Sequence, residues 1–253
     1  MGLLDGKVAI VTAAAGAGIG QAVARLFAQE GAEVVVSDAQ PHRLQEVAEA
    51  MARDYGRPFL ALPVDVRREE QVRELVTRTL ERHGRIDVLV NNAGINRLSP
   101  VWQMDDETWQ LVLDVNLTGT FRCTRAVLPH MMERRQGSII NLASVAGWLG
   151  SAEGEAHYCA AKAAVMAFTR AVAAEVGRYG VRVNAIAPGL IYNPFLERIY
   201  PREFFEGFAA RVPLGRVGEP LDVARLALFL ASDLSGYITG EVVGITGGFY
   251  MHP

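Results

Sequence analysis

Short, almost unbroken apolar runs alternate along the chain with longer stretches whose apolar residues recur at helical spacing. The runs fall at 8–11, 33–37, 59–63, 88–90, 138–142, 181–185 and 242–245. They show little polar alternation, which is how strands covered on both faces of a parallel sheet read. Between them, residues 21–30, 69–82 and 160–179 carry the helical period. Strand and helix in repeated alternation predict an α/β fold, a doubly wound parallel sheet with helices on both faces. No linker, repeat or low-complexity segment divides the chain, so residues 1–253 are expected to form a single domain. One connection breaks the rhythm. Residues 188–217, with Pro194, Pro201 and Pro213, run from the sixth strand to the next helix. A connection this long inside a compact domain is usually functional, and a substrate lid is expected there.

Composition narrows the function classes. Half of the 253 residues are hydrophobic and 21% are charged, an ordinary globular balance. The net charge of -3, with arginines and acids scattered, gives no reason to expect nucleic acid or an anionic membrane as partner. Cys123 and Cys159 are too few for a disulfide framework or a thiolate zinc site, so no metal is expected, and a reducing compartment is. The opening MGLLDGKVAIVT has no basic segment leading into an apolar core, and no uncharged apolar run reaches the roughly 18 residues of a membrane span. A cytoplasmic protein is expected.

The stretch TAAAGAGIG, residues 12–20, follows the first run and opens the first helix. In a doubly wound sheet this is where backbone N–H groups and the positive end of a helix hold phosphate. The loop alone is weak evidence, because glycine-rich turns serve many purposes and the pattern G-x-G-x-x-G is not matched. Asp38 closes the second run, 18 positions after Gly20. An acid there can accept hydrogen bonds from adenosine ribose hydroxyls and repels a 2′-phosphate, which predicts NAD rather than NADP. Its other reading is a turn or helix cap.

Tyr158 and Lys162 stand four apart on a predicted helix, one turn from each other on one face. A phenol titrates near pH 10, and an adjacent ammonium favours the phenolate; bringing the pKa to about 7 takes roughly 4 kcal/mol of differential interaction. So tuned, Tyr158 can exchange a proton with a substrate oxygen. The other reading is a helix pair with the tyrosine packed inward and the lysine in solvent. Lys7 and Lys162 are the only lysines in a chain that otherwise uses arginine, which weighs against it. A compact ammonium can hydrogen-bond two vicinal ribose hydroxyls where a broad guanidinium fork would not fit.

Over nearly its full length, from LDGKVAIVT to TGEVVGITGG, the chain resembles the short-chain dehydrogenase/reductases, and in particular their 3-oxoacyl reductase-like members. The resemblance is carried by TAAAGAGIG, Asp38, Asp65-Val66, Asn91-Asn92-Ala93-Gly94, Asn116 in DVNLTG, Ser144, Tyr158-x-x-x-Lys162 and Pro188-Gly189. It implies a Rossmann-type fold with Tyr158 as catalytic acid/base and Ser144 holding the substrate oxygen beside it. Lys162 would bind the nicotinamide ribose and lower the Tyr158 pKa, and Asn116 would support a proton-relay water. The cofactor, NAD, would lie on Gly16, Ala17, Gly18 and Ile19. Asp65 and Val66 would meet its adenine, Asn92 the adenosine side, and Ile191 the carboxamide. A homotetramer is implied, packed through helices around 108–132 and 158–179.

Some residues depart from the family pattern. Alanine follows Thr12 where a glycine is usual, and one extra residue precedes Gly18. Matched from its C-terminal end, the loop puts Ala14 in the first glycine's place, tolerable if φ there is negative. Asn193 replaces a common threonine, and Thr246 a common aspartate whose loss should affect a turn. Where 3-oxoacyl reductases carry docking arginines for an acyl carrier protein, this chain has Pro129 and Ala174. Trp148, Leu149, Phe195, Ile199, Phe204 and Phe205 suggest an apolar wall, and Glu155 and His157 are candidates for polar substrate groups. The expected reaction interconverts a secondary alcohol and a ketone with NAD(H), on a 3-hydroxyacyl/3-oxoacyl thioester or a hydrophobic ring ketone. A non-catalytic NAD-binding scaffold or sensor on the same fold is the alternative, and a tuned phenol argues against it.

Overall fold

In the computed structural model, which describes residues 2–194, 196 and 201–251, the apolar runs become seven parallel strands. These are β1 (Val8–Val11), β2 (Glu33–Asp38), β3 (Leu60–Pro63), β4 (Val88–Asn91), β5 (Gly137–Leu142), β6 (Val181–Pro188) and β7 (Val242–Ile245). Their order in the sheet is β3-β2-β1-β4-β5-β6-β7. The chain reverses its winding between β1 and β4, and the crevice at their C-terminal ends is where such sheets bind ligands.

Among the described residues the α-helices are α1 (Ile19–Gln29), α2 (Pro41–Tyr55), α3 (Glu69–His83), α4 (Asp106–Leu113), α5 (Gly119–Glu133), α6 (Ala156–Val176), α7 (Arg202–Ala209) and α8 (Pro220–Ala231). Because side chains alternate across a strand, each strand feeds two cores. Val11, Val34 and Val36 pack with Val23, Phe27, Leu44, Met51 and Val223 of α1, α2 and α8. Ile10, Val35 and Leu89 face the opposite layer, made by Val72, Leu75, Val127, Met131 and Val172 of α3, α5 and α6. This is why the strands read as continuous apolar runs rather than alternating ones.

The differences from the expected boundaries have identifiable causes. β6 runs on to Pro188 because Ala185 to Pro188 pair with β7, a partner more than fifty residues downstream. α6 begins at Ala156, ahead of the period seen at 160, and its tail closes in a 3-10 turn, Gly177–Tyr179. α4 and α5 are joined by a π-helical turn, Asp114–Thr118, a deviation that is frequent at functional sites. Among the described residues no helix is long and apolar enough to cross a membrane.

Candidate active site

The site is assembled at the C-terminal ends of β1, β2, β4 and β5. After β1 the chain turns sharply at Ala13, whose φ of 51° is left-handed. Ala14 has no positive φ, as an alanine there requires, and is buried with its N–H on the Ser37 carbonyl; the left-handed conformation falls on Ala13 instead. The Ala13 carbonyl then lies back over the helix start. A Cβ on Gly20 would sit 2.5 Å from that oxygen and 2.4 Å from Asn92 Nδ2, so glycine at 20 is a steric requirement. Gly16 and Gly18 differ, since a Cβ on either would meet nothing within 4 Å. Ala17 is exposed, and Gly18 heads α1 with no side-chain cap and no acid in the first turn. Gly16, Ala17, Gly18 and Ile19 thus line a bare, electropositive helix end that fits the pyrophosphate of a dinucleotide.

Asp38 both reaches the loop and starts a turn. Its carboxylate accepts from the Ala15 N–H at 3.1 Å and, with the other oxygen, from the Gln40 N–H at 2.9 Å, just before α2. Of the two readings made from the sequence, the turn is the one seen here, in the bond from the Gln40 N–H. A carboxylate has about four acceptor positions, so these two bonds leave room for ribose hydroxyls.

Thr12 gave no functional signal in the sequence, yet it ties the two halves of the crevice together. Its buried hydroxyl accepts from the N–H groups of Asn92 and Ala93, at 2.9 and 3.0 Å. Asn92 answers by donating its Nδ2 to the carbonyls of Thr12 and Ala13, both at 3.0 Å. The structure thus gives Asn92 the task of bracing the loop.

The reactive groups lie beyond β4 and β5. Ser144 follows the end of β5; its Oγ accepts the Ala146 N–H at 3.2 Å, and the side chain stands near enough to the Tyr158 hydroxyl to favour its ionised form. Lys162 is almost wholly buried and donates to the Leu142 carbonyl at 2.7 Å, with Nζ 5.5 Å from the centre of the Tyr158 ring. Asn116, on the π turn, is fully buried; its Nδ2 donates to the carbonyls of Ile95 and Val112, both at 2.8 Å. Its Oδ1 has no partner among the described residues. Gly94 separates the two groups: a Cβ there would lie 2.8 Å from Asn116 Oδ1 and 3.4 Å from Lys162 Nζ.

The electrostatics correct one expectation. Burial pushes the Tyr158 phenol up to about 12, against a smaller opposing effect of Ser144. The Lys162 ammonium is pushed down to about 8 by burial. In the chain by itself, burial disfavours the charged form of each group, and this outweighs the opposing effect of Ser144 on the phenol. Tyr158 stands protonated, as a donor.

Other predicted residues are placed as follows. Asp65 is engaged by Arg67 through both carboxylate oxygens, and this hydrogen bonding holds its carboxyl below the usual range. Val66 packs where a Cβ on Gly119 would strike it, at 2.5 Å. Ile191 is buried and bridges to Gly218, which ties together the two ends of the connection expected to be a lid. The connection expected to form a lid carries α7, and a cavity of about 550 Å³ is lined by Tyr192, Phe205, Glu206, Ala209, Arg216 and Val217 among others. Phe204 and Phe205 meet edge to face on α7, and Trp148 stacks on Tyr250, with centroids 5.1 Å apart. Phe195 and Ile199 lie outside the described residues. Thr246 closes a turn with Tyr250, as its position suggested. Glu155 and His157 do not serve as free polar groups in the pocket: Glu155 accepts from Asn96 Nδ2 at 2.5 Å, and His157 is fully buried. Among the described residues no cluster of His, Cys, Asp and Glu could hold a metal.

Comparison with known proteins agrees with this geometry. Residues 13–250 match the family model described as enoyl-(acyl carrier protein) reductase. The chain is 48% identical to the (5R,7aS)-5-hydroxy-7a-methyl-1-oxo-2,3,5,6,7,7a-hexahydro-1H-indene-carboxyl-CoA reductase of Mycobacterium tuberculosis, over 97% of this chain and 94% of that one. It is 43% identical to the 3-oxoacyl-[acyl-carrier-protein] reductase FabG of Thermotoga maritima, over 98% and 99%. It is 42% identical to the (2S)-[(R)-hydroxy(phenyl)methyl]succinyl-CoA dehydrogenase subunit BbsD of Thauera aromatica, over 97% of each chain. The crystal structure of a short chain dehydrogenase from Mycobacterium smegmatis superposes with a TM-score of 0.84 at 45% identity, covering 96% of this chain and 93% of that one. With the strand order, the glycine loop and the Ser144-Tyr158-Lys162 group all in place, the chain belongs to the short-chain dehydrogenase/reductase family of oxidoreductases.

Proposed function

We propose that this protein is an NAD(H)-dependent oxidoreductase that interconverts a secondary alcohol and a ketone on an acyl-coenzyme A thioester whose acyl part carries a ring. The observation that carries the reading is the Ser144–Tyr158 pair of hydroxyls, with the Lys162 ammonium 5.5 Å from the centre of the tyrosine ring. Two of the relatives are named for ring-bearing CoA thioesters, which supports the substrate class. Pro129 and Ala174 are both exposed, so neither position offers a cation to an acyl carrier protein.

Bound nicotinamide would supply or accept the hydride at the carbonyl carbon. The chain's own groups act on the oxygen. Ser144 Oγ and Tyr158 Oη would both donate hydrogen bonds to a ketone oxygen, and as negative charge develops there Tyr158 gives up its proton. Burial keeps the phenol protonated at neutral pH, so the donor is loaded before the substrate arrives. Lys162, steered by the Leu142 carbonyl, places its ammonium beside the ring and within reach of ribose hydroxyls. The Asp38 carboxylate at the end of β2 would discriminate against a 2′-phosphate, which supports NAD.

The test is reduction of ring-ketone CoA thioesters, compared with the free acids and with acyl-carrier-protein thioesters, alongside fluorescence titration with NADH and NADPH. CoA thioesters are expected to turn over fastest, and Tyr158→Phe to lose on the order of 100-fold or more in kcat while still binding NADH. Tighter NADPH binding would overturn the cofactor assignment. NADH binding with no turnover on any ketone, and no change on Tyr158→Phe, would favour a scaffold.

A further inference from the structure

α6 carries Tyr158 in its first turn, and the first four N–H groups of a helix have no partner within it. Glu155, at the head of the helix, makes no side-chain bond to that turn; its carboxylate is engaged by Asn96. The Tyr158 N–H is met from within the turn, donating to His157 Nδ1 at 2.8 Å. A neutral imidazole that accepts at Nδ1 carries its proton on Nε2. That Nε2 is buried and has no partner among the described residues, which is unfavourable for a donor. What the ring contributes at this position therefore comes through Nδ1.

We propose that His157 is a positioning residue for the proton transfer: its Nδ1 holds the Tyr158 backbone and so keeps the phenol on Ser144. The inference rests on the reading of Tyr158 as proton donor. Misplacing a reacting group by 1 Å can cost on the order of 100-fold in rate. A first turn with a bare N–H is also the part of a helix most free to fray.

Two substitutions separate the ring nitrogens. Asparagine puts its amide oxygen near the place of Nδ1, whereas glutamine reaches towards that of Nε2. His157→Asn is expected to keep kcat within roughly 3-fold of wild type, and His157→Gln and His157→Leu to lose on the order of 10-fold or more, with KM and NADH affinity unchanged. Hydrogen exchange at the Tyr158 amide, followed by NMR on nitrogen-labelled tyrosine, should be slow in wild type and His157→Asn and fast in His157→Gln. Equal losses in the Asn and Gln variants, or equally slow exchange in all of them, would overturn the proposal. The exchange measurement needs no turnover, so a protected amide in a protein inactive on every thioester would support the bond while overturning the catalytic reading. If His157→Leu does not fold, the Asn and Gln pair decides.

Discussion

Ala13 shows how one residue can carry strain for a site. Its φ of 51° lies where a Cβ is unfavourable, yet the turn it makes aims the loop across the crevice and brings its carbonyl to Asn92. Left-handed backbone costs an L-residue roughly 1–2 kcal/mol, partly offset on replacement by the freer unfolded chain of glycine. Ala13→Gly is accordingly expected to raise stability by about 0.5–1 kcal/mol, read as an increase in the denaturant midpoint at constant m-value, with NADH affinity retained. A lower midpoint would mean that contacts of the Ala13 methyl outweigh the strain. Tyr158 teaches a second lesson at this scale. Spacing alone suggested that a lysine one turn away would acidify it, but shared burial dominates and leaves the phenol at about 12.

At the scale of elements, the crevice depends on one hydroxyl after β1 and one amide after β4. Thr12 accepts two N–H groups and Asn92 returns two bonds, so four hydrogen bonds tie the loop before α1 to the segment after β4. Thr12→Val keeps the shape and leaves the Ala93 N–H without its acceptor, while the Asn92 N–H keeps the Val90 carbonyl at 3.1 Å. A buried donor left bare costs about 1–3 kcal/mol. Urea unfolding should show a loss of that size, with weaker NADH binding, and a loss under about 0.5 kcal/mol would show that the bonds are replaced without cost. The π turn between α4 and α5 belongs to the same scale: it sets the fully buried Asn116 against Gly94 rather than following the regular helical track.

For the molecule as a whole, the buried Lys162 makes stability depend on pH. Its pKa is about 8 in the folded state and about 10.5 when exposed, so between those values the unfolded chain binds the extra proton and stability rises with pH. Relative to Lys162→Met, the wild type should gain up to about 3 kcal/mol from pH 8 to 10.5, measured by denaturant unfolding at each pH. A flat difference would show that the ammonium is solvated. Tyr158 acts in the opposite sense at higher pH: with its pKa raised to about 12, its contribution is complete below pH 10 and is lost as pH rises through 12. Phe121 on α5 and Trp109 on α4 remain 39% and 38% exposed. The homotetramer that the resemblance implies, packed through helices around 108–132 and 158–179, would cover them; light scattering should then report a tetramer mass, and a monomer mass would refute it.

Much of this architecture was readable before any coordinates. Strands buried on both faces need continuous apolar runs, and the family motifs are local in sequence, so the layer order, the glycine loop, Asp38 and the Ser144-Tyr158-Lys162 group could all be named from the chain. What was not readable depends on partners distant in sequence. The extension of β6 needed β7, the left-handed turn at Ala13 is met by Asn92, and the bracing role of Thr12 appears only where β1 and β4 lie side by side. His157 and Glu155 looked like polar groups free to meet a substrate, and tertiary packing committed one to the Tyr158 backbone and the other to Asn96. A residue type states which bonds it can make; burial and approach, which only the folded chain supplies, decide which of them it does make and what charge it then carries.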